Sequence, residues 1–192
     1  MTIQTFSGRS VEGPTDINNY WTDRREHDLY RLMVGICRGL FPNAKSAIDV
    51  GSYTSSLILE MDWIEERVAT DIQKDLVKSW SGVNEVKFIP ENAFNLGFER
   101  PFDLVISNQT IEHLEDPIGF VNQLLSIGRG LVISTTYETP AGRIEGHIQD
   151  PISFEKFKSW FPCPLDAWTI CYHPSRTIAH IIGVVQRSHP NA

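Results

Sequence analysis

The chain has 192 residues, of which 41% are hydrophobic and 21% are charged. This balance is typical of one globular domain and excludes an intrinsically disordered chain. Its 17 basic and 24 acidic residues give a net charge of −7, and the sequence shows no cluster of Lys and Arg. Such a chain repels a phosphate backbone, so nucleic acid is not an expected partner.

The sequence predicts a protein that works away from membranes in a reducing compartment. No apolar run approaches the roughly 18 residues of a membrane span, and the first ten residues lack the apolar core of a signal peptide. Cys37, Cys163 and Cys171 are an odd number without a close pair, so we expect buried, reduced thiols. We therefore expect a cytoplasmic protein, and the sequence leaves open whether it forms a homodimer.

The predicted elements begin with a loose arm over residues 1–17, followed by a single domain over residues 18–192. Apolar residues with helical spacing predict a helix within residues 18–41, which Pro42 ends. Short apolar runs then alternate with helical segments. The predicted strands cover residues 46–51, 67–71, 86–89, 102–107 and 131–136, and the predicted helices cover 57–64, 73–80, 117–127 and 151–161.

Two β-rich runs at residues 167–172 and 177–186 close the chain. No helix fits between them, so they are expected to pair antiparallel. Repeated βα units closed by a hairpin predict an α/β fold, a Rossmann-like and mostly parallel sheet with helices on both faces. Ligands of such sheets bind beyond the carboxyl ends of the strands, so the loops that follow those ends are the candidate site.

A glycine and a carboxylate end the first two predicted strands. Gly51 permits a tight turn and close approach of a ligand, and the start of the following helix could hold an anion. Asp71 lies 20 residues further on, the position from which a carboxylate accepts hydrogen bonds from two ribose hydroxyls. Together they predict a nucleoside ligand. The alternatives are an ordinary βα turn at Gly51 and an N-cap at Asp71 for the helix from Gln73.

The fourth predicted strand continues into the segment Phe102-Asp-Leu-Val-Ile-Ser-Asn-Gln-Thr-Ile-Glu-His-Leu-Glu-Asp-Pro117. This segment resembles the class I S-adenosylmethionine-dependent methyltransferases of the small-molecule branch, which commonly read FDLV and EHLxDP here. The resemblance implies a seven-stranded sheet with the last strand inserted antiparallel beside the sixth. It also implies S-adenosylmethionine as cofactor and methyl transfer to a small molecule, with a hydroxyl of a sugar or glycan precursor as one candidate.

The resemblance also assigns cofactor-binding roles to residues after the first four strands. The methionine portion is assigned to Asp49, Gly51, Ser52 and Tyr53, and the ribose to Asp71 and Ile72. The adenine is assigned to Asn92 and Ala93, and the sulfonium end to Asn108 and Gln109. The family's second and third loop glycines are Tyr53 and Ser55 here. Either the loop follows another path with the ring packed on the cofactor, or cofactor binding is weak or lost.

Two histidines lie on loops at the expected site. His113 follows the fourth strand, and His147 follows the fifth in a glycine-flanked loop. An alcohol acceptor must lose its proton, and histidine is the usual base near neutral pH, so both are candidate catalytic residues. The alternative for His113 is that it shapes its loop together with Glu112.

Three further residues are candidates for acceptor binding. Trp21 and Arg25 lie on the N-terminal helix, which in the family often covers the site as a partial lid, and Tyr137 follows the fifth strand. Packing and a solvated surface are the alternatives for the first two.

A metal site is not predicted from the sequence. His113, His147, Glu112 and Asp150 have the chemistry of metal ligands, but they lack the short spacing that structural zinc sites show.

Two other functions stay open. An NAD-dependent dehydrogenase shares the glycine and the distal carboxylate, but it would carry G-x-G-x-x-G where positions 51, 53 and 56 are Gly, Tyr and Ser. A catalytically inactive, methyltransferase-like binding subunit would account for Tyr53 and Ser55.

Overall fold

A computed structural model describes residues 27–54, 57–172 and 178–187. The strands are β1 (Ser46–Val50), β2 (Glu66–Asp71), β3 (Lys87–Pro90), β4 (Phe102–Asn108), β5 (Gly128–Tyr137), β6 (Ala167–Tyr172) and β7 (Ala179–Gln186). The α-helices of the described residues are α1 (Asp28–Leu40), α2 (Val77–Trp80), α3 (Pro117–Ile127) and α4 (Phe154–Ser159). Short 3₁₀ helices cover Leu57–Glu60, Lys74–Leu76, Ala93–Asn95 and Ile111–His113.

The seven strands form one sheet in the order β3-β2-β1-β4-β5-β7-β6. All neighbouring strands pair parallel except β7, which runs antiparallel to both β5 and β6. This topology confirms the predicted Rossmann-like sheet with an antiparallel C-terminal hairpin. The strand order reverses between β1 and β4, which places a crevice for ligands beyond their carboxyl ends.

The sheet is covered on both faces, so its central strands are buried and mostly apolar. All five residues of β1 are buried. On one face, α1 packs Met33 and Cys37 into a core cluster, and on the other face α3 and α4 contribute Phe120 and Phe157. These four side chains are completely buried. Burying each such apolar side chain stabilises the fold by about 1.5–3 kcal/mol, which explains why parallel strands carry unbroken apolar runs.

Several predicted elements are shorter in the structure than in the sequence analysis. The predicted helix over residues 57–64 is one 3₁₀ turn, Leu57–Glu60, and the predicted helix over 151–161 contracts to Phe154–Ser159. Its N-cap is Ser153, whose Oγ accepts the Lys156 N–H at 3.2 Å. The start of the predicted N-terminal helix at residues 18–26 and the predicted arm lie outside the described residues.

The region around α3 follows the prediction closely. Asp116 caps the helix by accepting the Gly119 N–H at 2.7 Å, and Pro117 occupies the first turn. Gly128 follows the helix, and β5 begins there, three residues before the predicted start at residue 131, so that it includes Gly130. A Cβ at Gly130 would lie 2.1 Å from a ring carbon of Phe41, so packing requires the glycine there.

Cys37 and Cys171 are buried, Cys163 is half-buried, and all three are free thiols. Within the described residues, no helix combines the length and apolar character that crossing a membrane requires.

Candidate active site

Unusual backbone conformations mark the carboxyl edge of the sheet. Within the described ranges, the non-glycine residues with positive φ are Tyr53 (44°), Gln109 (54°) and Glu138 (49°). Each lies directly after or close to the end of β1, β4 or β5, the three adjacent strands at the centre of the sheet. Such conformations cost about 1–3 kcal/mol each and concentrate at functional sites. The backbone therefore points to the same edge as the sequence.

Gly51 forms the turn after β1, where the side chain of Thr110 leaves no room for a Cβ. Its φ is +77°, and a Cβ there would lie 2.3 Å from Thr110 Oγ1. The N–H groups of Gly51 and Ser52 both donate to the Thr70 carbonyl, at 2.9 and 3.0 Å. The glycine is thus needed for the packing of two turns against each other. The helix start that we expected to hold an anion is not found, since Leu57–Glu60 is a single 3₁₀ turn.

Asp71 ties the β1 turn to the end of β2. Its side chain is largely buried, with Oδ2 accepting the Tyr53 N–H at 2.9 Å and Oδ1 accepting the Gln73 N–H at 3.0 Å. Asp71 is not the N-cap of the following element, because Gln73 holds that position before the 3₁₀ helix Lys74–Leu76. A carboxylate offers about four acceptor positions, so the backbone donors leave room for a hydrogen bond from a ligand.

Tyr53 is held from two sides by its backbone. Its N–H donates to Asp71, and its carbonyl accepts the indole N–H of the buried Trp80 at 2.9 Å. The half-buried ring packs partly against the core cluster that contains α1. Burial, followed by the carboxylates of Asp71 and Asp75, raises the pKa of the Tyr53 phenol, so the ring lies close to the predicted ribose site. Ser55 lies outside the described residues.

Two hydroxyls in the same turn are candidates for contact with a ligand. Ser52 Oγ and Thr54 Oγ1 are buried and have no hydrogen-bond partner within residues 27–54, 57–172 and 178–187. A buried polar atom left without a partner costs about 1–3 kcal/mol, so a polar ligand group at this turn would be stabilising. Thr54 was not among the predicted residues, because a threonine in a loop gives no signal in the sequence.

The predicted adenine and ribose contacts lie on the loops after β2 and β3. Ile72 directly follows Asp71 and is 40% exposed, which leaves an apolar surface beside the carboxylate. Asn92 Oδ1 accepts the Phe94 N–H at 3.0 Å and caps the 3₁₀ helix that begins with half-buried Ala93. An amide oxygen has a second lone pair, so Asn92 keeps one acceptor position for an amine.

The predicted sulfonium-end residues follow β4. Asn108 is buried and its Oδ1 accepts the Ser134 hydroxyl of β5. The N–H of Gln109 donates to the Ser134 carbonyl at 3.1 Å, and its side chain is half-buried. Asn108 is therefore engaged with the neighbouring strand, which leaves Gln109 as the more accessible of the two.

Asp49 is a carboxyl group inside the sheet, and its ionisation should weaken the fold. It is 2% exposed, and burial together with nearby Asp71 raises its pKa to about 8. In the unfolded chain an aspartate titrates near about 3.9, so between about pH 4 and pH 8 the folded state holds the extra proton. Stability is therefore fully present below the unfolded pKa and declines as the pH rises through about 8.

Asp49→Asn removes this titration. The difference between the melting temperatures of the variant and of the unmodified protein is therefore expected to be larger, in favour of the variant, at pH 9 than at pH 6. The relative gain should reach about 1–2 kcal/mol, or about 2–8 °C for a domain of this size. Thermal unfolding at both pH values measures it. Asp75→Asn, on an exposed carboxyl of the next loop, is the matched control and should show no such gain. Parallel pH profiles for Asp49→Asn and the unmodified chain would contradict the assignment.

The loops after β4 and β5 bring together four side chains that we call the histidine cluster: Glu112, His113, His147 and Asp150. The His147 Nδ1 lies 2.9 Å from Asp150 Oδ2, and its Nε2 lies 4.0 Å from Glu112 Oε1. The imidazole rings of His113 and His147 meet edge to face with centroids 4.6 Å apart. Both predicted catalytic histidines therefore lie in one place.

Burial shifts the pKa of two members of the cluster. Glu112 is completely buried, which raises its pKa to about 8, and burial lowers the pKa of His113. From the sequence, Glu112 and Asp150 were possible metal ligands without supporting spacing, and Glu112 was also expected to shape the His113 loop. Their spacing along the chain gave no signal, because the cluster forms only when β4 and β5 pair.

Two loops at this edge are joined by backbone hydrogen bonds. The carbonyl of Glu112 accepts the N–H groups of Ile148 and Gln149 at 3.0 and 3.2 Å, and the Gln149 side chain donates to the Leu114 carbonyl at 2.7 Å. These contacts fix the cluster without a ligand.

The predicted acceptor-binding residues are only partly described. Tyr137 is half-buried at the end of β5, directly before Glu138. Trp21 and Arg25, and the lid role of the N-terminal helix, lie outside the described residues.

Residues 48–129 match the family model described as a methyltransferase domain. The match runs from β1 through α3 and so includes Asp71 and the segment after β4. It confirms the resemblance inferred from the sequence. No curated protein sequence matches the chain.

Solved structures of similar fold include three proteins with different named activities. The N-methyltransferase NodS from Bradyrhizobium japonicum WM9 is 9% identical over 90% of this chain and 99% of its own, with a TM-score of 0.70. The magnesium protoporphyrin IX methyltransferase from Synechocystis PCC 6803, with bound S-adenosylhomocysteine, is 17% identical over 83% of each chain, at 0.63. The [4+2]-cyclase SpnF is 14% identical over 82% of this chain and 80% of its own, at 0.67. At these identities the likeness establishes the fold alone.

Proposed function

We propose that the chain transfers a methyl group from S-adenosylmethionine to a small-molecule acceptor, since residues 48–129 match the model of a methyltransferase domain and the sheet has the Rossmann-like topology. A hydroxyl of a sugar or glycan precursor is our candidate acceptor. The observation that carries the proposal is Asp71, a largely buried carboxylate at the carboxyl end of β2. Backbone donors from the β1 turn and from Gln73 orient it.

The described residues are compatible with this cofactor, which supplies the methyl group on a positively charged sulfur. Asp71 would accept the ribose hydroxyls, and Ile72 would pack against the adenine with the Asn92 amide oxygen facing its amino group. The hydroxyls of Ser52 and Thr54, which lack partners in the described part of the chain, would receive hydrogen bonds from the methionine portion or donate to it.

Asn108 and Gln109 follow β4 and would line the sulfonium end. The histidine cluster begins three residues later, so the groups proposed to handle the proton would lie on the acceptor side of this segment. Methyl transfer from a sulfonium is an in-line displacement, and alignment of two reactants can contribute effective molarities of about 10⁵–10⁸ M.

His147 and His113 are the proposed catalytic residues for the acceptor. Asp150 holds His147 Nδ1 at 2.9 Å, and the Gly146 carbonyl holds His113 Nδ1 at 2.9 Å. Because a carbonyl only accepts, the His113 Nδ1 carries the hydrogen and the Nε2 of that ring is the basic atom. In this orientation an Nε2 atom of the cluster would accept the acceptor's proton.

The named substrates of similar structures support a small-molecule acceptor, since they include a porphyrin and plantazolicin analogues. The net charge of −7 argues against nucleic acid as a partner. We also propose a cytoplasmic location from the reduced thiols, and a homodimer stays open. The acceptor itself requires a screen.

Direct binding tests the proposal. Calorimetric titration of the full chain with S-adenosylmethionine and with S-adenosylhomocysteine is expected to give one site with a Kd below about 100 μM, or about −5.5 kcal/mol. Reduced nicotinamide dinucleotide serves as the comparison ligand and should not bind. Folded protein that shows no heat with either sulfur compound at millimolar concentration would overturn the proposal.

A catalytically inactive binding subunit is the second candidate, and the position of Tyr53 favours it. The phenol lies near Asp71 and could occupy part of the ribose site. The similar fold of a [4+2]-cyclase shows that this architecture is not confined to methyltransferases. If only the Tyr53→Gly variant bound the cofactor, this second function would be supported. We expect instead that the unmodified chain binds and that Tyr53→Phe changes Kd by less than about threefold.

A further inference from the structure

Three side chains of the histidine cluster present potential metal-ligating atoms to one another. One ligand atom each from Glu112, His113 and His147 lies within 4.8 Å of the other two. Around a tetrahedral ion with bonds of about 2.1 Å, ligand atoms lie about 3.4 Å apart. Side-chain rotations that move the ligand atoms by about 1 Å would therefore bring all three within bonding distance of one ion.

The second polar atom of each of these side chains is already bound in the orientation that metal sites use. His113 Nδ1 donates to the Gly146 carbonyl, and His147 Nδ1 donates to Asp150. Glu112 Oε2 accepts the Thr135 hydroxyl at 3.0 Å. Histidines that bind metals almost always donate their other N–H to a carbonyl or carboxylate in this way, which fixes the tautomer and the ring.

A buried oxygen supplies an independent observation. Glu112 is 0% exposed, and its Oε1 has no hydrogen-bond partner among the described residues. His147 Nε2 lies 4.0 Å from this oxygen, which is beyond hydrogen-bond distance. Buried polar atoms are normally satisfied, so the oxygen requires a partner that neither the fold nor the proposed donor site supplies.

We propose that Glu112 Oε1, His113 Nε2 and His147 Nε2 bind one divalent transition-metal ion. Two imidazoles with one carboxylate are the donor set of catalytic zinc sites and of other first-row ions that keep open positions. Mg²⁺ and Ca²⁺ prefer oxygen ligands, so the two imidazoles select Zn²⁺, Co²⁺ or a similar ion. Asp150 is the positioning residue, because it acts on the ion through His147.

The site rests on the proposed function for its catalytic meaning and changes one part of it. With an ion bound, the Nε2 atoms of His113 and His147 are ligands, so the ion would activate the acceptor in place of a histidine base. An open position on the ion would bind the acceptor through an oxygen and lower the pKa of that hydroxyl. The proton passes to water, and the oxygen forms its bond to the methyl carbon as the carbon–sulfur bond breaks. The electron pair of that bond stays on sulfur, leaving S-adenosylhomocysteine. The acceptor class is therefore one that carries a metal-binding oxygen.

Metal binding can be measured without donor or acceptor, so its outcome is independent of methyl transfer. The full chain, without a polyhistidine tag and after treatment with a chelator, is titrated with Co²⁺, Zn²⁺ and Mg²⁺. We expect one Co²⁺ or Zn²⁺ per chain with Kd below about 10 μM, a visible absorption band for bound Co²⁺, and no binding of Mg²⁺ at the same concentrations. Absence of Co²⁺ and Zn²⁺ binding by the folded unmodified chain overturns the proposal.

Variants locate the ion. Glu112→Gln and His147→Asn should each weaken Co²⁺ binding at least about 100-fold, and Asp150→Asn about 10–100-fold with a shifted absorption band. His27→Asn, which changes a histidine whose ring contacts Tyr30 on α1, is the matched control and should bind as the unmodified chain does. Equal affinity in Glu112→Gln and the control overturns the site. If a variant does not fold, the titration of the unmodified chain still decides.

Discussion

Asp71→Asn is expected to weaken the binding of S-adenosylhomocysteine at least about 100-fold. The carboxylate would accept both ribose hydroxyls, and hydrogen bonds to a charged group contribute about 1.5–3 kcal/mol each. An asparagine retains the size of the side chain but only one acceptor oxygen. Its amide group would also face one of the two backbone N–H groups, from Tyr53 or Gln73, that Asp71 accepts. Calorimetry with the demethylated product measures the loss without any acceptor.

Asp75→Asn is the matched control for this effect. It removes the same charge four residues further along, from an exposed side chain, and should change Kd by less than about threefold. Melting curves of both variants separate a lost ligand contact from a disturbed β1 turn. Unchanged affinity in folded Asp71→Asn would place the ribose elsewhere and remove the main support for the nucleoside site.

The strands were predictable because buried parallel strands require continuous apolar runs. The apolar segments that end at Gly51, Asp71 and Ser107 correspond to β1, β2 and β4, and the family resemblance supplied the number of strands and the antiparallel last strand. Helix lengths were less accurate. Residues 57–64 are apolar enough for a helix, yet Leu57 and Ile58 are buried in one 3₁₀ turn. Local periodicity does not report how a short connection packs.

The candidate site was predictable in position but not in detail. Its loops follow from the rule that ligands bind at the carboxyl ends of strands, and this rule selected Asp71, His113 and His147. The contacts of Glu112 depend on Thr135 and His147, which lie more than 20 residues away in sequence. Spacing along the chain therefore argued against a metal site that the folded chain makes chemically reasonable.

The role of Gly51 also changed between sequence and structure. The sequence suggested that the glycine admits a ligand, whereas the structure shows the Thr110 side chain in the space that a Cβ would occupy. Thr110 Oγ1 donates to the carbonyls of Gly51 and Asn108 at 3.4 and 3.3 Å, so it links the turns after β1 and β4. The glycine lets the turn after β1 and the β4 loop pack together, and its replacement should affect folding before binding.

Gly51→Ala is expected to destabilise the protein by about 3 kcal/mol, which lowers the melting temperature by about 6–12 °C. About 1–2 kcal/mol comes from an alanine at positive φ and the remainder from the collision with Thr110. Gly142→Ala is the matched control, because Gly142 has φ +76° with nothing within 4 Å of the added carbon, and it should show only the first part. Adding Thr110→Ala to Gly51→Ala should recover part of the collision, seen as a coupling of about 0.5–3 kcal/mol in a double-mutant cycle. Equal melting temperatures for Gly51→Ala and Gly142→Ala would show that the two turns can separate, and the glycine would then be needed only for its conformation.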